Sequence, residues 1–378
     1  MLGLSQIIDA AQGIQAAPPV SSITTTRERC TRYRHHASTC SRCADVCPSS
    51  ALSLSENYPA LDGARCTECG ACASVCPTEA IEVTAPSDKE LAAEISAQAS
   101  QHGSVMLSCK KAGAMLPGTM MVECLARLDL SMLLLATARG ATNICMVTGT
   151  CSDCVSGEAL PYVCNTVAAA EGLTKALGAP TRISVQASTN DSAPLPDEAD
   201  VDLSRRLFFT KVGTRSAEYT AKAATVLMAG APSRLHDRPR HRDLSVHLPQ
   251  KRIRFVESLR VLARFTCNRG ATVVFSASKL DATQCSGCSM CADLCPTGAM
   301  AANEEGGVLR ITCDASDCVA CKLCIDVCRR HAVSLCPLDE GIADSIRTVV
   351  LERQMNADLL APIEDKMSRL LGVSLYRT

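Results

Sequence analysis

The apolar positions change period several times along the chain, and each change marks a different kind of element. Leu2, Leu4, Ile7, Ile8, Ala11 and Ile14 fall on one face of a short helix that Pro18 and Pro19 stop. The runs at 51–54 and 80–83 are short and apolar, fit strands, and can pair with each other as a small sheet. Residues 86–101 predict a helix opened by Asp88, Lys89 and Glu90. A β-rich run at 104–108, a helical pattern at 125–139, a strand at 143–147 and an Ala- and Leu-rich helix at 159–178 follow. This alternation predicts a compact α/β domain. Residues 185–206 are polar, carry Pro194, Pro196, Asp197, Glu198, Asp200 and Asp202, and read as a connection. Helix-forming residues at 207–233, an amphipathic helix at 255–264, strands at 271–275 and 308–312, and a long helix with a short tail at 339–370 complete the pattern.

Cysteine spacing changes this picture most. The chain has 25 Cys, an odd number, and most stand in a repeated local spacing rather than as scattered pairs. Cys285, Cys288, Cys291 and Cys295 are followed by Cys318, Cys321, Cys324 and Cys328. Thiolates three residues apart wrap three corners of an iron–sulfur cube, and the Cys four further on supplies the distant fourth corner of a neighbouring cube. The crossed assignment gives Cys285, Cys288, Cys291 and Cys328 to one cube, and Cys318, Cys321, Cys324 and Cys295 to the other. Cys328 is followed by Arg329 where the other runs have Pro, which keeps a backbone N–H and need not remove the cube.

An earlier stretch repeats the arrangement with one irregularity. Cys66, Cys69, Cys72 and Cys47 make one complete set, but Cys40, Cys43 and Cys76 have Ala37 where a fourth ligand is expected. Cys30 lies upstream across a basic loop of Arg32, Tyr33, Arg34, His35 and His36, and is the first choice because the loop can close at modest entropic cost. A histidine ligand, or an open corner leaving a [3Fe-4S] cluster, are the alternatives. A third set, Cys109, Cys124, Cys151 and Cys154, suits a [2Fe-2S] cluster or zinc. A redox disulfide between Cys151 and Cys154 would leave Cys109 and Cys124 unexplained. Cys145 and Cys164 read as small buried side chains, and Cys267, Cys313 and Cys336 as structural or free thiols.

Composition agrees with metal-ordered modules. Of 378 residues 47% are apolar but only 3% aromatic, so small cysteine-rich modules draw much of their order from clusters. Thirty-eight basic and 39 acidic residues give a formal charge of −1, and about −8 more follows if sixteen thiolates hold four cubes of roughly +2 each. That balance argues against direct nucleic-acid binding, although Arg234, His236, Arg238, Arg240, His241, Arg242, Lys251, Arg252 and Arg254 form a basic run. The run reads as a solvated or partner-facing segment. No leader and no apolar stretch approaching a membrane span is read, so the expected location is cytoplasmic, with membrane association only through a partner.

The two eight-cysteine modules resemble bacterial 2[4Fe-4S] ferredoxins, and together they look like a polyferredoxin electron-transfer subunit. The middle region resembles the delta-subunit family associated with methyl-viologen-reducing hydrogenase and heterodisulfide reductase. That likeness rests on Cys109, the stretch Val122, Glu123, Cys124, Leu125, Ala126, Arg127, Leu128 and Asp129, and the stretch Gly149, Thr150, Cys151, Ser152, Asp153 and Cys154. It implies a small α/β domain with a [2Fe-2S] cluster that relays electrons between larger subunits. The expected fold class is α/β plus α+β, with two ferredoxin-like dicluster modules flanking a small central α/β metal-binding domain and helical linkers. The expected boundaries are an extension at 1–27, the first module at 28–84, a linker helix at 85–102, the central domain at 103–184, a polar linker at 185–206, a helical and basic connector at 207–272, the second module at 273–338, and a terminal helix and tail at 339–378.

These readings predict four [4Fe-4S] clusters, one central [2Fe-2S] or zinc site, and single-electron transport. No Ser-His-Asp arrangement or nucleotide-binding loop is found, so the catalytic chemistry is expected in a partner: a hydrogenase-, heterodisulfide-reductase-, formate-dehydrogenase- or molybdenum/tungsten-enzyme-like subunit. The competing readings are a structural or assembly protein, and a self-contained reductase with an open iron site.

Overall fold

The computed structural model describes residues 22–54, 58–112, 118–179, 181–188, 245–264, 275–338 and 347–354. All of them belong to one compact unit. The helix expected near the N-terminus, the 207–233 segment, most of the basic run, Cys267 and the first four residues of the 271–275 strand lie outside the described residues.

In the first module, β1 (Ile23–Thr25) pairs antiparallel with β4 (Ile81–Val83), Ile23 opposite Val83. Strands β2 (Leu52–Ser53) and β3 (Ala60–Leu61) form a separate antiparallel pair. The expected pairing of 51–54 with 80–83 is therefore not formed. β2 finds a nearer partner in the following chain, while Ile23, Ile81 and Val83 bury together beside Cys30 and Cys76. The β-branched run of β1 lies in the segment read as an extension, so the module begins before residue 28.

The helix α4 (Asp88–His102), expected as a linker, is instead part of the central core. Ser87 caps it in a reciprocal box with Glu90, Gly103 ends it in a left-handed turn, and Leu91, Ile95 and Ala99 are buried against the sheet. That sheet is wholly parallel, in the order β6–β5–β7–β8, built from β5 (Ser104–Cys109), β6 (Met120–Val122), β7 (Asn143–Thr148) and β8 (Arg182–Ala187). Strand β8 runs past the expected boundary at 184. Helices α5 (Leu130–Ala138) and α6 (Leu160–Ala176) supply the crossovers to β7 and β8. Their buried faces include Met132, Leu133, Val163 and Ala170.

The second module repeats the strand plan of the first. β9 (Phe275–Leu280) pairs antiparallel with β12 (Val333–Leu338), and β10 (Met300–Glu305) with β11 (Val308–Asp314). Within the segment 339–370 expected as a long helix, the described residues Arg347–Gln354 instead form strand β13, which pairs antiparallel with β11; the rest lies outside the described residues. The run Val349, Val350 and Leu351 favours a pleated surface, and a free edge of β11 was available; Leu351 is buried and Val349 exposed although they are two residues apart, because the register shifts between Ile311 and Thr312 and leaves Val350 as a bulge.

Helix α7 (Gln250–Arg264) begins five residues earlier than its amphipathic pattern suggested. The reason lies in the first module: the Glu79 carboxylate accepts hydrogen bonds from the backbone N–H of Gln250 (2.8 Å) and Lys251 (2.7 Å). Lys251, Arg252 and Arg254 are thus helical and point inward, contrary to the solvated or partner-facing reading. Lys251 donates to the carbonyls of Ala73 (2.6 Å) and Ser74, Arg252 to those of Ala315 and Ser316 (2.8 Å each), and Arg254 pairs with Asp129 (3.3 Å). Three consecutive segments of the molecule are tied to one helix.

Candidate metal centres

The regular thiolate runs share a backbone signature. Two and four residues after the first Cys of a run, the chain turns left-handed: Glu68 and Gly70, Gly287 and Ser289, Ala320 and Lys322. Alternating right- and left-handed residues turn successive N–H groups into a concave nest suited to a cluster's negative charge. Glu68 donates to the Cys66 sulfur and Gly287 to the Cys285 sulfur, each at 3.4 Å.

The remote ligands have their own device. The residue three beyond each of them is left-handed: Ser50 (φ 49°), Glu79 (50°), Gly298 (72°) and His331 (52°). This bends the chain back so that a following amide reaches the sulfur: Ala51 to Cys47 and Ala80 to Cys76 at 3.2 Å, Ala332 to Cys328 at 3.3 Å, and Met300 to Cys295 at 3.4 Å. Arg329 does not disturb this geometry.

The irregular first run lacks the left-handed pair, for Ser41 has φ −129°. A different construction serves it. Cys30 precedes a short helix, Thr31–Arg34, read from sequence as a loop. Arg32 donates to the carbonyls of Ser38 and Cys40 at 3.3 Å, and Ser38 donates to Thr31 at 3.0 Å within the interior. The inserted segment is thereby folded back, and Cys30, Cys43 and Cys76 share one buried cluster. His35 and His36 stack on each other at 4.4 Å, with His36 exposed.

The electrostatics of the buried thiols are set by neighbours both within and across these sets. Burial, followed by repulsion from Cys76, Cys40 and Cys30, pushes the Cys43 thiol up to about 12. Burial and then Cys69, Cys43, Cys66 and Cys47 raise Cys72 to about 12. In the second module Cys291 rises through burial and its neighbours Cys324, Cys288, Cys285 and Cys328, and Cys324 reaches about 11 through burial and Cys295 and Cys318, offset by the Ser278 hydroxyl. Cys47 is the exception. Burial opposes its ionisation, but the amides of Ala51 and Leu52 and the Ser49 side chain and amide lower it overall. Thiols held this close repel as bare anions, and a polynuclear cation would neutralise each set. Donor type, crowding and inward N–H groups all fit iron–sulfur cubes.

Cys109, at the carboxyl end of β5, joins Cys124, Cys151 and Cys154 in lining one cavity with Gly149, Thr150, Gly157 and Leu160. Gly149 donates to the Cys109 sulfur at 3.2 Å. A Cβ on Gly149 would lie 2.1 Å from the Lys111 carbonyl oxygen, and one on Gly157 would lie 2.0 Å from that of Cys151, so both positions require glycine for close approach. Burial first, with Cys69, Cys109 and Cys154 adding repulsion, raises Cys124 to about 12. Cys145 is only half-buried and Cys164 is exposed, unlike the buried roles expected of them. Helical periodicity alone did not fix which face of α6 Cys164 occupies. Cys313 is fully buried, with the Cys318, Cys295 and Cys324 charges among those raising its pKa; its inward place on β11 follows from strand alternation.

The 4Fe-4S dicluster domain family matches residues 36–80 and 284–332. The chain therefore carries two ferredoxin-like 4Fe-4S dicluster domains, which give it an iron–sulfur electron-transfer role and indicate two [4Fe-4S] clusters in each. The first match begins after Cys30, and the central region is not covered. No curated protein and no solved structure matches the chain. No helix among the described residues is long and apolar enough to cross a membrane.

Proposed function

We propose that this chain is a relay subunit that passes single electrons between redox partners in a larger oxidoreductase, holding four cubes and one central [2Fe-2S] cluster. The observation that carries the reading is the set of backbone amides directed at the sulfurs of both dicluster modules, at Cys47, Cys66, Cys76, Cys285, Cys295 and Cys328. The clusters supply reversible one-electron chemistry; the protein's thiolates hold them, and its N–H groups and burial tune their potentials.

Cys30 is proposed as the fourth ligand beside Cys40, Cys43 and Cys76, supported by the Arg32 and Ser38 contacts that fold its loop back. The assignments Cys47, Cys66, Cys69 and Cys72, then Cys285, Cys288, Cys291 and Cys328, then Cys295, Cys318, Cys321 and Cys324 stand as proposed on the same grounds. At the central set Cys109, Cys124, Cys151 and Cys154 line one cavity, and four thiolates there suit a two-iron cluster, with zinc as the alternative.

The catalytic partner is proposed to be hydrogenase- or heterodisulfide-reductase-like, on the resemblance of the central region; formate-dehydrogenase- and molybdenum/tungsten-enzyme-like subunits are the other members of that class. Anaerobic purification with iron and sulfide analysis and low-temperature EPR tests the relay. Centres that take up and return electrons support it, and a metal-loaded chain whose centres never accept electrons overturns it.

A further inference from the structure

The sets of thiols do not merely share one chain; particular pairs of sets abut. The central set meets the first module through Cys69, which is buried in the same apolar core as Cys109, and through the Ser156 hydroxyl, which donates to Thr67 at 2.9 Å. Within the first module, Cys72 of one set and Cys43 and Cys76 of the other share a buried cluster. Within the second, Cys285, Cys291, Cys295, Cys324 and Cys328 pack on one core, and no central thiol belongs to it.

The joint between modules is specific. The N–H of Thr39, directly before Cys40, donates to the Asp326 carboxylate at 2.8 Å, and its hydroxyl donates to the same group at 3.1 and 3.2 Å. Arg42, directly before Cys43, donates to the carbonyl of Ala320 at 3.1 Å. Ala320 precedes Cys321, and Asp326 follows Cys324 by two residues. These contacts bring the loop of the Cys30 set against the loop of the Cys318 set. Lys251 and Arg252 of α7 hold the same two modules from successive positions.

Resting on the relay reading, we propose that the five sets form one unbranched row: central, Cys47/Cys66/Cys69/Cys72, Cys30/Cys40/Cys43/Cys76, Cys295/Cys318/Cys321/Cys324, and Cys285/Cys288/Cys291/Cys328. Thr39, Arg42, Ala320 and Asp326 form its middle joint, and the Cys285 set is its far terminus. Each transfer moves one electron, oxidising one centre and reducing its neighbour, with no bond made and no proton carried.

EPR spin relaxation of the dithionite-reduced full chain tests the order. The Cys30-set signal is identified by its loss in Cys43→Ala, and iron analysis of the remaining centres controls for folding. Removing one of its two neighbouring centres with Cys321→Ala should slow the relaxation of that signal to the part due to the Cys66 set, whereas Cys288→Ala, which removes the terminal centre, should leave it unchanged. An unchanged relaxation in Cys321→Ala, or a slower one in Cys288→Ala, overturns the row. The double variant Arg42→Ala/Asp326→Ala keeps every ligand and should weaken the same interaction; an unchanged interaction removes these side chains as the joint. A wild-type chain with no reducible signal would overturn the relay itself, and the row with it.

Discussion

Gly157 and Cys30 show how single residues decide a centre. Because a Cβ at Gly157 would collide with the backbone carbonyl of Cys151, Gly157→Ala should displace that loop. Central iron is then lost while the four cubes remain, which iron analysis with EPR would register. Cys30→Ala should leave its set with three thiolates and convert that cube to a three-iron signal or remove it, without altering the Cys66, Cys69 and Cys72 signal. Proton linkage gives a further expectation. Cys124, packed on the central core that stays folded without metal, is raised from 9.0 to about 12, first by burial. The protonated form is thus favoured by folding: the associated stability is fully present below pH 9.0 and is lost as pH rises towards about 12. Thermal unfolding of reduced apoprotein should show that fall, and the loaded chain, whose ligands are already thiolates, should lack it.

At the scale of elements, α7 unites parts that its sequence pattern left separate. Its basic residues satisfy the carbonyls that end short cluster-bearing segments, Lys251 at Ala73 and Ser74 and Arg252 at Ala315 and Ser316. Replacing Lys251 or Arg252 by Ala should cost about 1 to 3 kcal/mol each, since a charged hydrogen bond to a partly buried carbonyl is lost. Chemical unfolding of the loaded chain would measure this. The pattern 234–254 alone could not show it, because a Lys on a helix and a Lys in a solvated run look alike until an acceptor is placed opposite. For the same reason β13 was read as helix: only the edge of β11 made the extended form the better one.

On the scale of the molecule, the modules differ in what holds them. The central core is a sheet and helices rich in Leu, Ile, Val and Met, whereas four of the ten buried residues in the first module's core are cysteines. Removing iron should therefore unfold the first module while leaving the parallel sheet protected. Hydrogen exchange before and after chelation would show rapid exchange at Ile81 and Val83 and continued protection at Leu107 and Ile144.

The spacing Cys66, Cys69, Cys72, Cys76 and its counterparts determined, without any coordinates, that two dicluster modules exist. Cluster-binding loops are local: three ligands and their nest of amides lie within a few residues, so the chemistry is written in short-range spacing. Strand β1, the inward turn of α7, the exposure of Cys164 and the meeting of Thr39 with Asp326 depend on residues far apart in the chain. Tertiary structure alone decided these, because a hydrogen bond across such a separation has no periodicity to announce it.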